Sequence, residues 1–185
     1  MLAGHIATAF AIKARARKVP LVMILIACML FDIIAVVLVM LDVERFPGLI
    51  TMAPRYEGEI LRAAYSHSLF WAAFYAVIVF LLFVKADGQR HWALPLSLGT
   101  FSHWILDLVN YRLPFANFGS EQSFGLALSF KTPVAAVGLE VALVAVLWSV
   151  YYRAERTNRT SHPASAYLIL VGLIGLAFVP LFFIG

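Results

Sequence analysis

Charge is scarce in this chain. Lys, Arg, Asp and Glu together make up 13% of its 185 residues, against roughly 25% in an ordinary soluble domain. Cysteine is all but absent: Cys28 is the single one, and it sits inside an apolar run, so neither a disulfide framework nor a thiolate zinc cluster can be built from this chain. A basic face is missing too. The formal net charge is +4, but the lysines and arginines punctuate hydrophobic runs instead of forming a stripe, which excludes a nucleic-acid partner. No basic stretch precedes the first apolar residues; Lys13, Arg15, Arg17 and Lys18 follow them, the wrong order for a cleaved signal, so Met1 onward is expected to be retained. What the chain has in abundance is apolar surface: 63% of its residues are hydrophobic and the mean hydropathy is +0.90. An excess of that size calls for lipid as part of the solvent.

Apolar runs occupy 19–42, 63–84, 93–111, 132–152 and 166–184, each close to the ~20 residues that cross ~30 Å of hydrocarbon. These lengths predict an all-α fold, a polytopic transmembrane helical bundle of about five spans, organised as a single integral membrane domain over 1–185. The segment Leu2–Ile12 is too short to cross and is expected as a half-span or an interfacial helix. Turn chemistry at Pro47-Gly48, Pro54 and Asp87-Gly88, a loop over 113–125 and a basic linker over 153–165 separate the runs. The pairs Ser66-His67 and Ser102-His103 recur, but two dipeptides do not make a repeat.

Positive loops stay in the cytoplasm. Lys13, Arg15, Arg17, Lys18, Lys85, Arg90, Arg153, Arg156 and Arg159 outnumber Arg45, Arg55, Arg62, Arg112 and Lys131, so the richer set is read as cytoplasmic and the loops 43–62 and 112–131 as outward-facing, in a multi-pass protein.

Ionisable groups inside apolar runs cost about 2.5–3.5 kcal/mol each on insertion scales, so each needs a reason. Asp32, His67, His103, Asp107 and Glu140 all lie in such runs, and His5 lies in the N-terminal segment. With the orientation above and a rise of ~1.5 Å per residue, all fall at similar depth in the outer half. The spacing His103-x-x-x-Asp107 sets an imidazole and a carboxylate on one helix face, one turn apart, where both reach a single ion or each other. Asp32, His67, His103 and Asp107 together supply the nitrogen and oxygen donors that a divalent ion such as zinc takes in small numbers. Two other readings of the same residues stay open: a hydrogen-bonded polar network holding helices together, and a proton relay. Ser66 and Ser68, beside His67, are candidates for substrate contact or for hydrogen bonding to a ligand, and Arg112, just beyond Asp107, for holding a phosphate or anchoring at the interface.

The order His5, Asp32, Ser66-His67-Ser68-Leu69, Ser102-His103-Trp104-Ile105-Leu106-Asp107 and Glu140, followed by Arg112-Leu113-Pro114-Phe115, resembles the membrane-bound metal-dependent hydrolases of bacterial inner membranes over most of residues 1–150. That family is distantly similar to the all-helical zinc-dependent phospholipase C and P1 nuclease fold. The resemblance implies one zinc site of Asp32, His67, His103 and Asp107, with His5 as a ligand of a second ion sharing Asp107, and Glu140 as a further ligand or general base. The chain departs from the pattern at Ala136, where a histidine is usual, at Phe31-Asp32-Ile33-Ile34 in place of Pro-Asp-x-Asp, and at Arg62-Ala63-Ala64 in place of His-Arg-Gly. The function so implied is a membrane-embedded hydrolase. It would use one or two divalent ions, zinc first among them, with Asp107 and Glu140 as catalytic groups, against a phosphoester of a lipid or lipid-linked substrate at the outer face. A proton- or cation-coupled transporter and a non-catalytic membrane scaffold are the rival expectations, the same residues serving as relay or as core.

Overall fold

A computed structural model describes residues 1–44, 65–116, 122–157 and 163–179. The described chain is helical but for one short ladder. In chain order the elements are α1 (Leu2–Arg15), α2 (Leu21–Cys28), α3 (Leu30–Met40), α4 (Leu69–Lys85), a 3-10 turn (Arg90–Trp92), α5 (Ala93–Asn110), β1 (Leu113–Pro114), β2 (Ser123–Phe124), α6 (Leu128–Lys131), α7 (Pro133–Thr157) and α8 (Pro163–Phe178). β1 and β2 pair antiparallel, Leu113 opposite Phe124.

The expectation of about five spans does not hold. Among the described residues one helix, α7 with its 25 residues, is long and apolar enough to cross a membrane, or two if the bent pair α2 and α3 is taken as one. Each of the other runs fails for its own reason. The run 19–42 breaks at Met29, and the two pieces diverge by 55°. The run 63–84 yields a helix only from Leu69, 17 residues or about 26 Å; residues 63 and 64 lie outside the described chain. The run 93–111 does form an 18-residue helix, but Ser97, Thr100, Ser102, His103, Asp107 and Asn110 make it too polar. In the run 166–184, α8 ends at Phe178 after 16 residues, and residues 180–185 lie outside the described chain. A hydropathy window counts apolar residues without seeing where a helix ends.

The N-terminal segment lies against the other helices. α1 is a core helix: Ala3, Gly4, His5, Ala7, Ala9, Phe10 and Ala14 are all buried. It packs along α7 and also meets α2, α5 and α8. Small side chains on α1 allow backbones to approach closely. One apolar cluster joins Ala3, Ala7 and Phe10 to Val144 and Trp148 of α7 and Leu173 of α8, and a second joins Ala9 to Ile24, Ala27 and Cys28 of α2 and Leu96 of α5. A third, of Phe31, Ala72, Trp104 and Leu113, lies where α3, α4 and α5 meet. The polar residues converge beside this last cluster.

Candidate metal centre

Helix α5 carries His103 and Asp107 on its buried stripe with Leu96, Gly99, Thr100 and Asn110, so the i, i+4 spacing works as expected. Gly99 lets α2 cross α5 closely: a Cβ there would stand 3.2 Å from Cys28 Sγ. Cys28 is the last residue of α2, and the last four carbonyls of a helix have no partner within it. The Cys28 carbonyl accepts from His103 Nδ1 at 2.7 Å. The break at Met29 contains neither proline nor glycine; a side chain entering the carbonyl ladder is a recognised cause of a kink, and the imidazole supplies one here. Beyond the kink the new axis of α3 carries Asp32 to the same place.

His67 arrives from a turn, not from within a helix. Ser68 caps α4, its hydroxyl accepting from Trp71 N at 3.4 Å, which places His67 immediately before the helix. Glu44 organises this turn. Its carboxylate accepts from Ser66 N at 3.0 Å and from Ser66 Oγ at 2.6 Å, and it also takes the Tyr65 amide. Ser66 Oγ lies 2.8 Å from His67 Nδ1.

The distances define a site. His67 Nε2 is 3.7 Å from Asp32 Oδ1 and 3.6 Å from Asp107 Oδ2. His103 Nε2 is 3.6 Å from Asp32 Oδ1 and 3.2 Å from Asp107 Oδ2. Ligands 2.0–2.1 Å from a tetrahedral centre stand about 3.3–3.4 Å apart, close to the 3.2–3.7 Å between each of these imidazoles and each carboxylate; Asp32, His67 and His103 form one group of donors able to hold a metal ion. The other oxygen of Asp107 faces His5, whose Nε2 is 3.2 Å away, and the amino group of Met1 at 3.4 Å. His5, His103 and Asp107 form a second group of donors able to hold a metal ion. The rings of His5 and His103 stack with centroids 3.8 Å apart and planes 5° from parallel.

Tautomers follow from the partners. A carbonyl only accepts, so His103 Nδ1 carries a hydrogen and leaves the Nε2 lone pair facing the two carboxylates. The single hydroxyl proton of Ser66 goes to Glu44, so Ser66 Oγ accepts from His67 Nδ1, and the Nε2 lone pair of His67 also faces inward. Such hydrogen bonds from the far ring nitrogen are the usual means of aiming a metal-binding histidine. Two imidazole lone pairs and two carboxylates then point at one another, an arrangement that a cation or a bound proton reconciles. His103 Nε2 is buried and makes no hydrogen bond with any described residue. Buried His and Asp groups here could hold a metal ion.

Burial sets the electrostatics. His5, His67, His103 and Asp107 are buried, and Phe31, fully buried, has its ring 5.3 Å from that of His103 and 6.0 Å from that of His67. Burial raises the Asp107 carboxyl, but the Met1 amino group and the adjoining His103 and His5 rings outweigh it and hold the group well below the usual carboxylate range. Burial pushes His5 down to about 4 despite its bond to Asp107. For His103 burial also acts downward, yet Asp107, Asp32 and the Cys28 carbonyl raise the ring above its ordinary value. Asp32 differs from the rest: its side chain is 44% exposed, so the centre opens on that side alone among these groups.

The remaining expected residues are placed as follows. Glu140, buried on α7, accepts from Gly4 N at 3.2 Å, one residue before His5; it belongs to neither group of donors able to share an ion. Ser66 links Glu44 to His67, Ser68 caps α4, and Arg112 is exposed just past the end of α5. Glu44 was not among the expected residues. Its only sequence signal is an acid at the end of an apolar run, which reads as an ordinary boundary residue. No protein-family model, curated protein or solved structure gives a significant match to the chain.

Proposed function

We propose that the protein is a membrane-associated metallohydrolase cleaving a phosphoester of a lipid or lipid-linked substrate. In this reading Asp32, His67, His103 and Asp107 hold one divalent ion, zinc by the donor set of two imidazoles and two carboxylates. The observation that carries the reading is the 3.2–3.7 Å approach of each of the two imidazoles to each of the two carboxylates, with both imidazole lone pairs aimed inward by their Nδ1 partners. Such an ion lowers the pKa of bound water to about 7 and neutralises charge on phosphoryl oxygens. Substrate enters past Asp32, the exposed ligand, and Phe31 keeps the inner wall apolar. His5 holds the second oxygen of Asp107 and serves as the ligand that a second ion would use. Arg112 meets the phosphate, and Glu140 fixes the start of α1 through Gly4.

Membrane association is supported by α7. Only 28% of its apolar window is buried inside the fold, whereas the core helix of a soluble protein is mostly covered. With α7 as the crossing helix, its Arg153 and Arg156 end lies in the cytoplasm by the positive-inside rule, and the site faces the outer side of a bacterial inner membrane.

Metal content tests the reading directly. Detergent-purified protein should retain one zinc per chain and hydrolyse p-nitrophenyl phosphate or micellar phosphatidic acid. Asp107→Asn and His103→Ala should lose both properties. Folded wild type with no affinity for zinc would end the proposal, leaving a protonated polar network; tight zinc without hydrolysis of any phosphoester would keep the metal centre and end the hydrolase.

A further inference from the structure

At the opposite end of α1 from His5 lies a groove of about 1010 Å³ between α1, the turn that follows it, the 3-10 turn, α5 and α7. His5 and Arg15 are ten residues apart on α1, which puts the basic rim of the groove about 15 Å along the helix from His5. Two properties of its lining stand out. The rim carries Arg15, Arg17, Lys18, Arg90 and His91, and no Asp or Glu lines it. The floor and walls are apolar, with Leu94, Leu98, Leu147 and Val150 among them; Leu94 and Leu98 are 59% and 54% exposed. The cations come from two segments far apart in sequence, 15–18 and 90–91, which the fold brings to one mouth.

One rim cation is already committed: Arg17 Nη2 donates to the Ala154 carbonyl at 3.2 Å, tying the rim to the end of α7 that bears Arg153, Glu155 and Arg156. Trp92 Nε1 donates to His91 Nε2 at 2.9 Å, so a neutral His91 keeps its own proton on Nδ1. Arg15, Lys18 and Arg90 are exposed. Several cations around an apolar trough with no acid in its lining repel one another, and an anion relieves that repulsion. A free phosphate would satisfy the rim but leave the leucine walls bare. A ligand with an anionic head and a long apolar tail satisfies both, as basic pockets between membrane helices do for anionic lipids.

We infer that this groove binds an anionic phospholipid, its phosphate headgroup held by Arg15, Lys18 and Arg90 and one acyl chain lying along Leu94, Leu98, Leu147 and Val150. The site is separate from the metal centre and does not depend on the hydrolase reading. Its occupant is a resident lipid, not a substrate, because none of the metal-ligand residues lines the groove.

The test uses the full chain in neutral detergent micelles doped with dioleoyl phosphatidylglycerol or dioleoyl phosphatidylcholine, with bound lipid counted by native mass spectrometry. Phosphatidylglycerol should be retained in preference. Arg15→Gln and Arg90→Gln should each weaken it by about 5-fold, a charge near a lipid surface being worth that much, and the pair by about 25-fold. Arg15→Lys with Arg90→Lys should bind nearly as wild type, which separates loss of charge from loss of fold. Lys85→Gln with Lys131→Gln, an equal loss of charge outside the groove, should leave retention unchanged. Equal retention of the two lipids, equal weakening by the Lys85 and Lys131 pair, or displacement by inorganic phosphate or polyglutamate would each overturn the inference.

Discussion

Replacing Glu44 with glutamine is expected to damage the metal centre more than removing Ser66, although Glu44 is one group further away. In the native turn Glu44 Oε1 accepts the Ser66 amide and Oε2 accepts the Ser66 hydroxyl, and that second bond forces Ser66 Oγ to accept from His67 Nδ1, 2.8 Å away. Ser66→Ala deletes the link and leaves His67 free to choose its tautomer. Loss of such an orienting partner costs about 10–100-fold in metal affinity, or roughly 1.4–2.7 kcal/mol. Glu44→Gln keeps the amide acceptor but puts an NH2 where Oε2 was. Ser66 then accepts from Gln and its released proton turns to His67 Nδ1, which favours the tautomer with the ring proton on Nε2, in the ligand position. The variant should therefore lie at or beyond the 100-fold end of that range. Combining the two changes should return affinity to the Ser66→Ala level, because without Ser66 nothing transmits the inversion. Zinc competition against a chromophoric chelator at neutral pH measures all four affinities, and nitrogen-15 shifts of the His67 ring report its tautomer. Multiplicative losses in the double variant, or a Glu44→Gln effect smaller than that of Ser66→Ala, would refute the relay.

Three further outcomes are expected. The folded chain resists protonating His5 until about pH 4, while the unfolded chain accepts the proton near 6.5. Metal-free protein should accordingly lose roughly 3 kcal/mol of stability as pH falls between those values; the raised His103 acts above this window and the lowered Asp107 below it, so melting in chelator should lose that slope in His5→Gln and would not if burial of His5 were unimportant. Gly99→Ala puts a methyl 3.2 Å from Cys28 Sγ, pushing α2 away from His103; zinc affinity should fall by about 10-fold and recover when Cys28→Ala is added, and failure to recover would show that the helix approach is not what positions His103. Gly125 has φ +128° and a Cβ there would lie 1.9 Å from the Tyr111 carbonyl, so Gly125→Ala should lower thermal stability by roughly 2 kcal/mol or more, an unchanged melting temperature being the contrary result.

The donor set was legible because the residue types are out of place. A carboxylate or imidazole in an apolar run is expensive wherever it sits, so Asp32, His67, His103 and Asp107 announce themselves without a structure, and helical periodicity is enough to put His103 and Asp107 on one face. Glu44 was not legible, because an acid at the edge of an apolar run costs nothing and its value comes only from the turn that folds over it. Ser68 was legible as a polar neighbour of His67 but not as the cap of α4, which depends on where the helix begins. The basic residues at 15–18 and 90–91 were read by their number as markers of sidedness; that they share one mouth is a matter of how α1 and α5 pack.

The span count shows the division most clearly. Composition alone determines that apolar residues far outnumber charged ones, 63% against 13%, since that total does not depend on conformation. Whether an apolar run crosses a membrane depends on continuity of its helix, and continuity was decided by a tertiary contact: the His103 imidazole takes the Cys28 carbonyl at 2.7 Å, so α2 stops and α3 departs at 55°. The partner in that contact lies 75 residues away, beyond the reach of any local pattern. The same contact breaks one candidate span, orients one imidazole and brings in Asp32, so that break and the geometry of the site follow from one packing decision.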